Sequence, residues 1–222
     1  MIFANYCVLD LETGSRNKHT TQPLQLAAVI VDGRKLKVVD KFQSLIRPLA
    51  TNDATAKGLD PIEDEALKVN GLNIEDLAKA PDLKSVWESF VSFVEKWQGK
   101  KGDRWSAPII AGFNVKNFDI PILDRIAKEY GPWDEKRQES KLFHPFHHVD
   151  VVDDVHRWFE NNIDIKSLSM DSMRELFGIS KIGAHNAIKD TTDIARILVG
   201  FLNIYRHFSP RINFRGNNDE NK

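Results

Sequence analysis

The chain has 222 residues, is 41% hydrophobic and carries a net charge of −1. That is enough apolar content for one large core, without the surplus of positive charge that binds nucleic acid or anionic membrane through its overall field. A single cysteine, Cys7, excludes an internal disulfide, and no apolar run is long enough to cross a bilayer. No basic segment followed by an apolar stretch opens the chain, so the expectation is a soluble, cytoplasmic protein of a reducing compartment, with no signal peptide and no membrane partner. Near-neutral charge does not exclude a nucleic-acid enzyme, because bound metals can supply positive charge locally.

The first element is a strand in Tyr6 to Thr13 (YCVLDLET), bounded by Gly14. A strand alternates its faces, so Asp10 and Glu12 point the same way. Two carboxylates side by side repel and raise each other's pKa unless a cation neutralises them, which points to a hard divalent ion, Mg²⁺ or Mn²⁺. The other reading is two acids on the solvent side of an edge strand. Cys7, in the apolar run, reads as a packed core thiol. Ser15 to Thr21 is a polar loop. Leu24 to Val31 is a second strand, Asp32-Gly33 a turn, and Lys35 to Ile46 a third strand pairing back on it. Gln25 reads as a satisfied polar residue at a strand end or as facing a cleft.

Asp60-Pro61-Ile62-Glu63 has the form of a helix start, with Asp60 as cap, Pro61 in the first position and Glu63 completing a capping box. Gly71 stops that helix. Pro81-Asp82 opens another, whose Leu83, Val86, Trp87, Phe90, Phe93, Val94 and Trp97 form a helical apolar stripe and belong to the core. Gly99 to Arg104 is a basic loop. Pro108 to Gly112 is a short buried strand. Asp119 follows just beyond it at the start of a helix over Ile120 to Tyr130, where an acid also suits the helix dipole.

Trp133 to Lys141 is charged and irregular and reads as a surface insertion. His144, His147 and His148 precede a strand near Asp150, which ends or caps that element and orients its neighbours; the three histidines leave a zinc protein open as a rival reading. Ser167 to Phe177 is an amphipathic helix, capped by Ser167 and stopped by Gly178. His185 falls in the loop or first turn before a long helix to about Phe208 that contains Asp190. Residues 1–208 form one domain, and 209–222 form a polar, mobile tail. Strands alternating with helices after an opening meander indicate an α/β fold with a mixed sheet.

VLDLETG, AGFNVKNFDIPIL and HNAIKDTTDIARIL together resemble the three motifs of the DEDDh 3′–5′ exonucleases, which include polymerase proofreading exonucleases, oligoribonuclease and ribonuclease T. The resemblance covers Tyr6 to Tyr205. It implies an RNase H-like fold with a five-stranded mixed β-sheet flanked by helices. It further implies a two-metal-ion hydrolysis of phosphodiester bonds from a free 3′ end, releasing nucleoside 5′-monophosphates. Asp10, Glu12, Asp119 and Asp190 would hold two Mg²⁺ ions, with Mn²⁺ able to substitute, and His185 would take the proton of the attacking water. Thr13 and Gly14 would grip the terminal nucleotide, with Asn114 and Phe118 lining the cleft. The chain departs from the pattern where Thr13 alone precedes Gly14, where Phe113 stands in place of a common histidine, and at Asn70-Gly71-Leu72, where another histidine is common. Single-stranded DNA is placed ahead of RNA as substrate, although the residues do not decide between them. A non-catalytic nucleic-acid-binding module on the same fold is the alternative. A polymerase or repair partner and the oligomeric state stay open.

Overall fold

The computed structural model describes residues 4–162, 167–182 and 186–209. Its centre is a five-stranded sheet of order β3-β2-β1-β4-β7. The strands are β1 (Tyr6–Thr13), β2 (Pro23–Asp32), β3 (Lys37–Leu45), β4 (Ile109–Gly112) and β7 (His148–Asp150). β1 pairs antiparallel with β2, and β2 with β3, as the meander requires; β4 and β7 join by parallel pairing. A parallel neighbour needs a crossover, and helices supply it. The sheet is the five-stranded mixed one expected of the sequence.

Alternation along β1 sorts its side chains between two cores. Cys7, Leu9 and Leu11 face α4 (Leu83–Glu95) and α5 (Asp119–Tyr130), packing with Trp87, Phe90, Ile122 and Leu123. Val8 faces the opposite layer with Val29, Val31 and Ala111. That layer is α6 (Val151–Phe159), α7 (Met170–Leu176) and α8 (Ala187–Phe208), through Val155, Met173, Ile194, Leu198 and Phe201. The aromatic stripe of α4 is core, with Trp87 and Phe90 essentially fully buried. Cys7 is buried likewise, which drives its thiol pKa upward.

Some local expectations are corrected. Asp60 does not cap a helix: its carboxylate accepts from Ser15 Oγ and Thr20 Oγ1, both at 2.7 Å. The helix there, α2 (Asp64–Asn70), starts after Glu63, which makes no side-chain cap; Gly71 ends it in the left-handed region as expected. Two helices of six residues, α1 (Thr51–Ala56) and α3 (Ile74–Lys79), were not anticipated. α7 begins at Met170 with Ser169 as its cap, two residues later than Ser167. The segment Trp133 to Lys141 is not irregular: β5 (Trp133–Asp134) and β6 (Glu139–Ser140) form a hairpin. Arg104 holds it through Asp134 (3.3 Å), Glu139 (2.6 Å) and the Ser140 carbonyl (3.0 Å), and Asp124 accepts the Ser140 N–H (2.8 Å). Arg104 of the basic loop is thus a half-buried tether.

Candidate active site

Three elements converge at the C-terminal end of β1. Asp10 and Glu12 lie on the face of β1 that carries Val8, toward α8. β4 pairs with β1 only as far as Val8, opposite Ala111, so farther along that edge the ladder stops and leaves backbone groups to be satisfied. Asp119 fills this need: its Oδ1 accepts the Leu11 N–H at 3.0 Å, placing a carboxylate, only 4% exposed, near enough to Asp10 for the two to repel. Asp190 enters from the first turn of α8, whose N-cap Asn186 accepts from the Lys189 N–H.

The turn that delivers Asp119 is tightly built. A Cβ on Gly112 would lie 2.7 Å from Val115 Cβ and 3.0 Å from Leu9 O, so only glycine lets the chain fold back under β1 here. Asn114 sits in the left-handed region, at φ 58°. Asp150, at the end of β7 and almost fully buried, accepts the N–H groups of Asn114 (2.8 Å), Lys116 (3.2 Å) and Val152 (3.2 Å). It therefore caps α6 and fastens the 113–118 turn at once, the orienting role read from sequence.

The electrostatics fit this convergence. Glu12 is pushed up to about 8, by burial first and then by Asp10 and Asp190. Asp10 is pushed up to about 6 by burial and by Asp190, with Arg174 opposing. Asp119 is raised well above the usual carboxylate range by burial and by Asp10. Asp10, Glu12 and Asp119, whose ionisation is suppressed by burial and by neighbouring carboxylates, form with Asp190 an oxygen-only donor set that Arg174 offsets only in part, and such a set suits a hard divalent cation. Among the described residues, no three His, Cys, Asp or Glu side chains form a ready-made ion cage. The acids are drawn instead to other partners, Asp119 to Leu11 N–H and Asp190 to Arg174 at 2.5 Å. The residues fit the group by the chemistry of their oxygen donors.

His185 lies outside the described residues. The segments bracketing it are tied together, since Lys189 Nζ donates to the Ser180 carbonyl at 2.9 Å. Thr13 and Phe118 line a recess of about 150 Å³ with Ala66, Val69 and Asn70. The Gly14 N–H already donates to the Gln22 carbonyl (2.9 Å), its carbonyl accepts from the Glu63 N–H (2.9 Å), and the Thr13 carbonyl accepts from Asn70 (3.0 Å). Those backbone groups shape the turn, and Asn114 is exposed on the segment that leads into α5. His144 and His147 stack at 4.6 Å with Trp105 against His144, which is aromatic packing. Arg174 was not singled out from sequence. The signal available was an arginine inside the stripe formed by Met170, Met173 and Phe177. A separate cavity of about 760 Å³, lined by Arg47, Leu49, Lys57, Arg125 and Tyr130, contains none of the four acids.

Three comparisons bear on this site. The family model for RNase T exonucleases matches residues 7–198. The DNA polymerase III epsilon subunit of Aquifex aeolicus is 24% identical over 202 residues, covering 91% of this chain and 82% of that subunit. The PolC-type DNA polymerase III of Caldanaerobacter subterraneus is 21% identical over 197 residues; these are 89% of this chain but only 11% of the polymerase, so the chain spans a small part of that relative. Among solved structures, the nuclease domain of 3′hExo, a DEDDh family member bound to rAMP, is similar in fold with a TM-score of 0.66 at 14% identity, covering 91% of this chain and 93% of that one.

Proposed function

Because this chain belongs to the RNase T exonuclease family, and has the RNase H-like fold of its structural neighbours, we propose that it is a metal-dependent 3′–5′ exonuclease releasing nucleoside 5′-monophosphates. What supports this is the mutual approach of Asp10, Glu12, Asp119 and Asp190 from β1, α5 and α8, with the carboxyl pKa values of Asp10, Glu12 and Asp119 raised by burial and by neighbouring acids. A pure binding module has no use for such repulsion, and phosphate would be turned away by bare carboxylates. Two divalent ions held there would lower the pKa of a water and neutralise charge on the departing oxygen.

The chain's own residues do the rest. Asp10, which interacts electrostatically with both Glu12 and Asp190, would hold the divalent ions together with them. Asp119 is held rigidly by Leu11 N–H and by the turn that Asp150 fastens. His185 takes the water's proton, since a neutral imidazole titrates near working pH. Thr13 and Phe118 offer the recess for the terminal nucleotide, and Asn114, exposed on the turn before α5, is a further candidate contact. Single-stranded DNA leads as substrate. The epsilon relative is named for a DNA polymerase, while the 3′hExo structure holds a ribonucleotide, so matched 3′-ended DNA and RNA oligomers must both be tried.

The test is the release of mononucleotides from such oligomers with Mg²⁺, with and without chelator. Asp10→Ala is expected to abolish release while the circular dichroism spectrum stays that of the wild type. Full activity in that variant, or undiminished release in chelator, would sink the reading. His185→Ala is expected to slow the chemical step by roughly 10²–10⁴-fold, measured in single turnover; an unchanged rate would remove His185 as the base.

A further inference from the structure

Beneath the acid cleft lies a cation that the reaction itself does not call for. Arg174, on α7, is 2% exposed. Its guanidinium spreads over three carboxylates: Nη2 to Asp190 Oδ1 at 2.5 Å, Nε to Asp193 Oδ2 at 3.1 Å, and Nη1 to Asp171 Oδ1 at 2.9 Å. Asp190 and Asp193 are three residues apart on α8 and so share one face of it. Asp193 is as buried as Arg174 and is held from a second side by Lys189 Nζ at 2.5 Å. The three residues therefore form a rigid girder between α7 and α8, with Asp190 at its outer end. Met173 and Phe177 beside it belong to the apolar core, and an α7–α8 contact made of apolar residues in place of the whole ion-paired group would avoid the desolvation that a buried guanidinium and its carboxylates demand. What a hydrophobic residue would not do is hold a carboxylate by a planar, directional fork.

We propose that Arg174 is a positioning residue for the metal centre: by gripping one carboxylate oxygen of Asp190 it fixes that acid's orientation toward the cation, so that the site's metal affinity depends on the packing of α7 against α8. This rests on the metal-dependent reading of the four acids. Groups that orient a ligand from behind typically change metal affinity by about 10–100-fold. A contrary force exists, because a guanidinium near the cleft repels a cation. The sign of the effect therefore discriminates between orientation and charge.

Titration calorimetry of Mn²⁺ into the purified full chain, compared with Arg174→Met and Arg174→Lys, tests this, alongside thermal unfolding of each without metal. Arg174→Met is expected to bind Mn²⁺ about 10–100-fold more weakly. Arg174→Lys should fall between it and wild type, because an ammonium reaches one carboxylate at a time. The Mg²⁺ concentration for half-maximal nucleotide release should move in the same order. Wild-type affinity in a folded Arg174→Met protein, even one with a lower melting temperature, would reduce Arg174 to a structural ion pair and overturn the proposal. Tighter binding would show that repulsion dominates and overturn it too. If Arg174→Met does not fold, Arg174→Lys decides: about tenfold weaker Mn²⁺ binding supports the proposal, and unchanged binding overturns it. Absence of Mn²⁺ binding by the wild type would instead bring down the two-ion reading of the acids.

Discussion

Glu12 shows how a carboxylate of the proposed site works against the stability of the protein that carries it. In the metal-free protein its pKa stands at about 8 against an ordinary 4.5, and that of Asp10 at about 6 against 3.8. Below the ordinary values both are protonated in folded and unfolded chains alike, and nothing is lost. As pH rises, the unfolded chain ionises while the folded one keeps its protons, so stability falls, and it goes on falling until the folded values are passed. The expected outcome is a melting temperature in chelator that declines from pH 5 to pH 8, and that saturating Mg²⁺ restores most at the upper end. Glu12→Gln should melt higher than wild type at pH 8 in chelator, by about 2–4 °C for each 1 kcal/mol of repulsion removed in a domain of this size. A lower melting point would mean that the carboxylate is well accommodated, and would weaken the case for a missing counter-charge. At this scale much was readable beforehand. Period-two alternation put Asp10 and Glu12 on one face, and a strand followed by a helix put Asp119 at an N-terminus. Arg174 escaped notice because an arginine in a helix is ordinarily a solvated residue. Only the tertiary packing of α7 on α8 reveals that this one is sealed over Asp190 and Asp193.

Elements were readable in proportion to their length and periodicity. β1, β2, α4, α5 and α8 repeat their apolar positions often enough to declare their type. α1 and α3, each of six residues, contain less than two turns and no stripe, and their existence depends on what they pack against. The start of α2 was misplaced because Asp60 serves the loop at Ser15 and Thr20 instead of the helix, a competition between cap and tertiary partner that local pattern cannot resolve. The hairpin β5–β6 was hidden because two-residue strands carry no alternation and are held by Arg104, some thirty residues away in the chain. The element most exposed to perturbation is the turn from β4 into α5. Gly112→Ala would force a methyl into Val115 and the Leu9 carbonyl, backbone on one side and a β-branched core residue on the other, neither free to yield. A loss of about 1–3 kcal/mol is expected from denaturant unfolding. A fall in kcat/KM should accompany it, since the displaced turn carries Asp119. A variant with unchanged midpoint and unchanged kcat/KM would show that the turn adapts and that Asp119 does not depend on it.

At the scale of the whole molecule, the balance of charge separates this protein from those that hold nucleic acid by a basic surface. Thirty-one Lys and Arg face 32 Asp and Glu, for a net charge of −1, and several of the basic side chains near the two ends of the sheet are spent on internal pairs, Arg104 on the hairpin and Arg174 and Lys189 on α8. Proteins that neutralise 6–10 phosphates with Lys and Arg lose about 10³–10⁵ in affinity between 50 and 200 mM salt, because each contact releases condensed counterions. On the proposed metal-dependent reading the phosphate is met chiefly through bound divalent ions and few such contacts are made, so the KM for a 3′-ended oligomer should rise by about tenfold or less over the same range of KCl at fixed saturating Mg²⁺. Withdrawal of Mg²⁺ at constant ionic strength should abolish turnover. A slope of KM on salt as steep as that of a basic-groove protein would mean that a cationic strand-binding surface exists beyond the cleft. The exposed Lys100, Lys101 and Lys136 would then be the first positions to neutralise, one at a time, to see which reduces the slope.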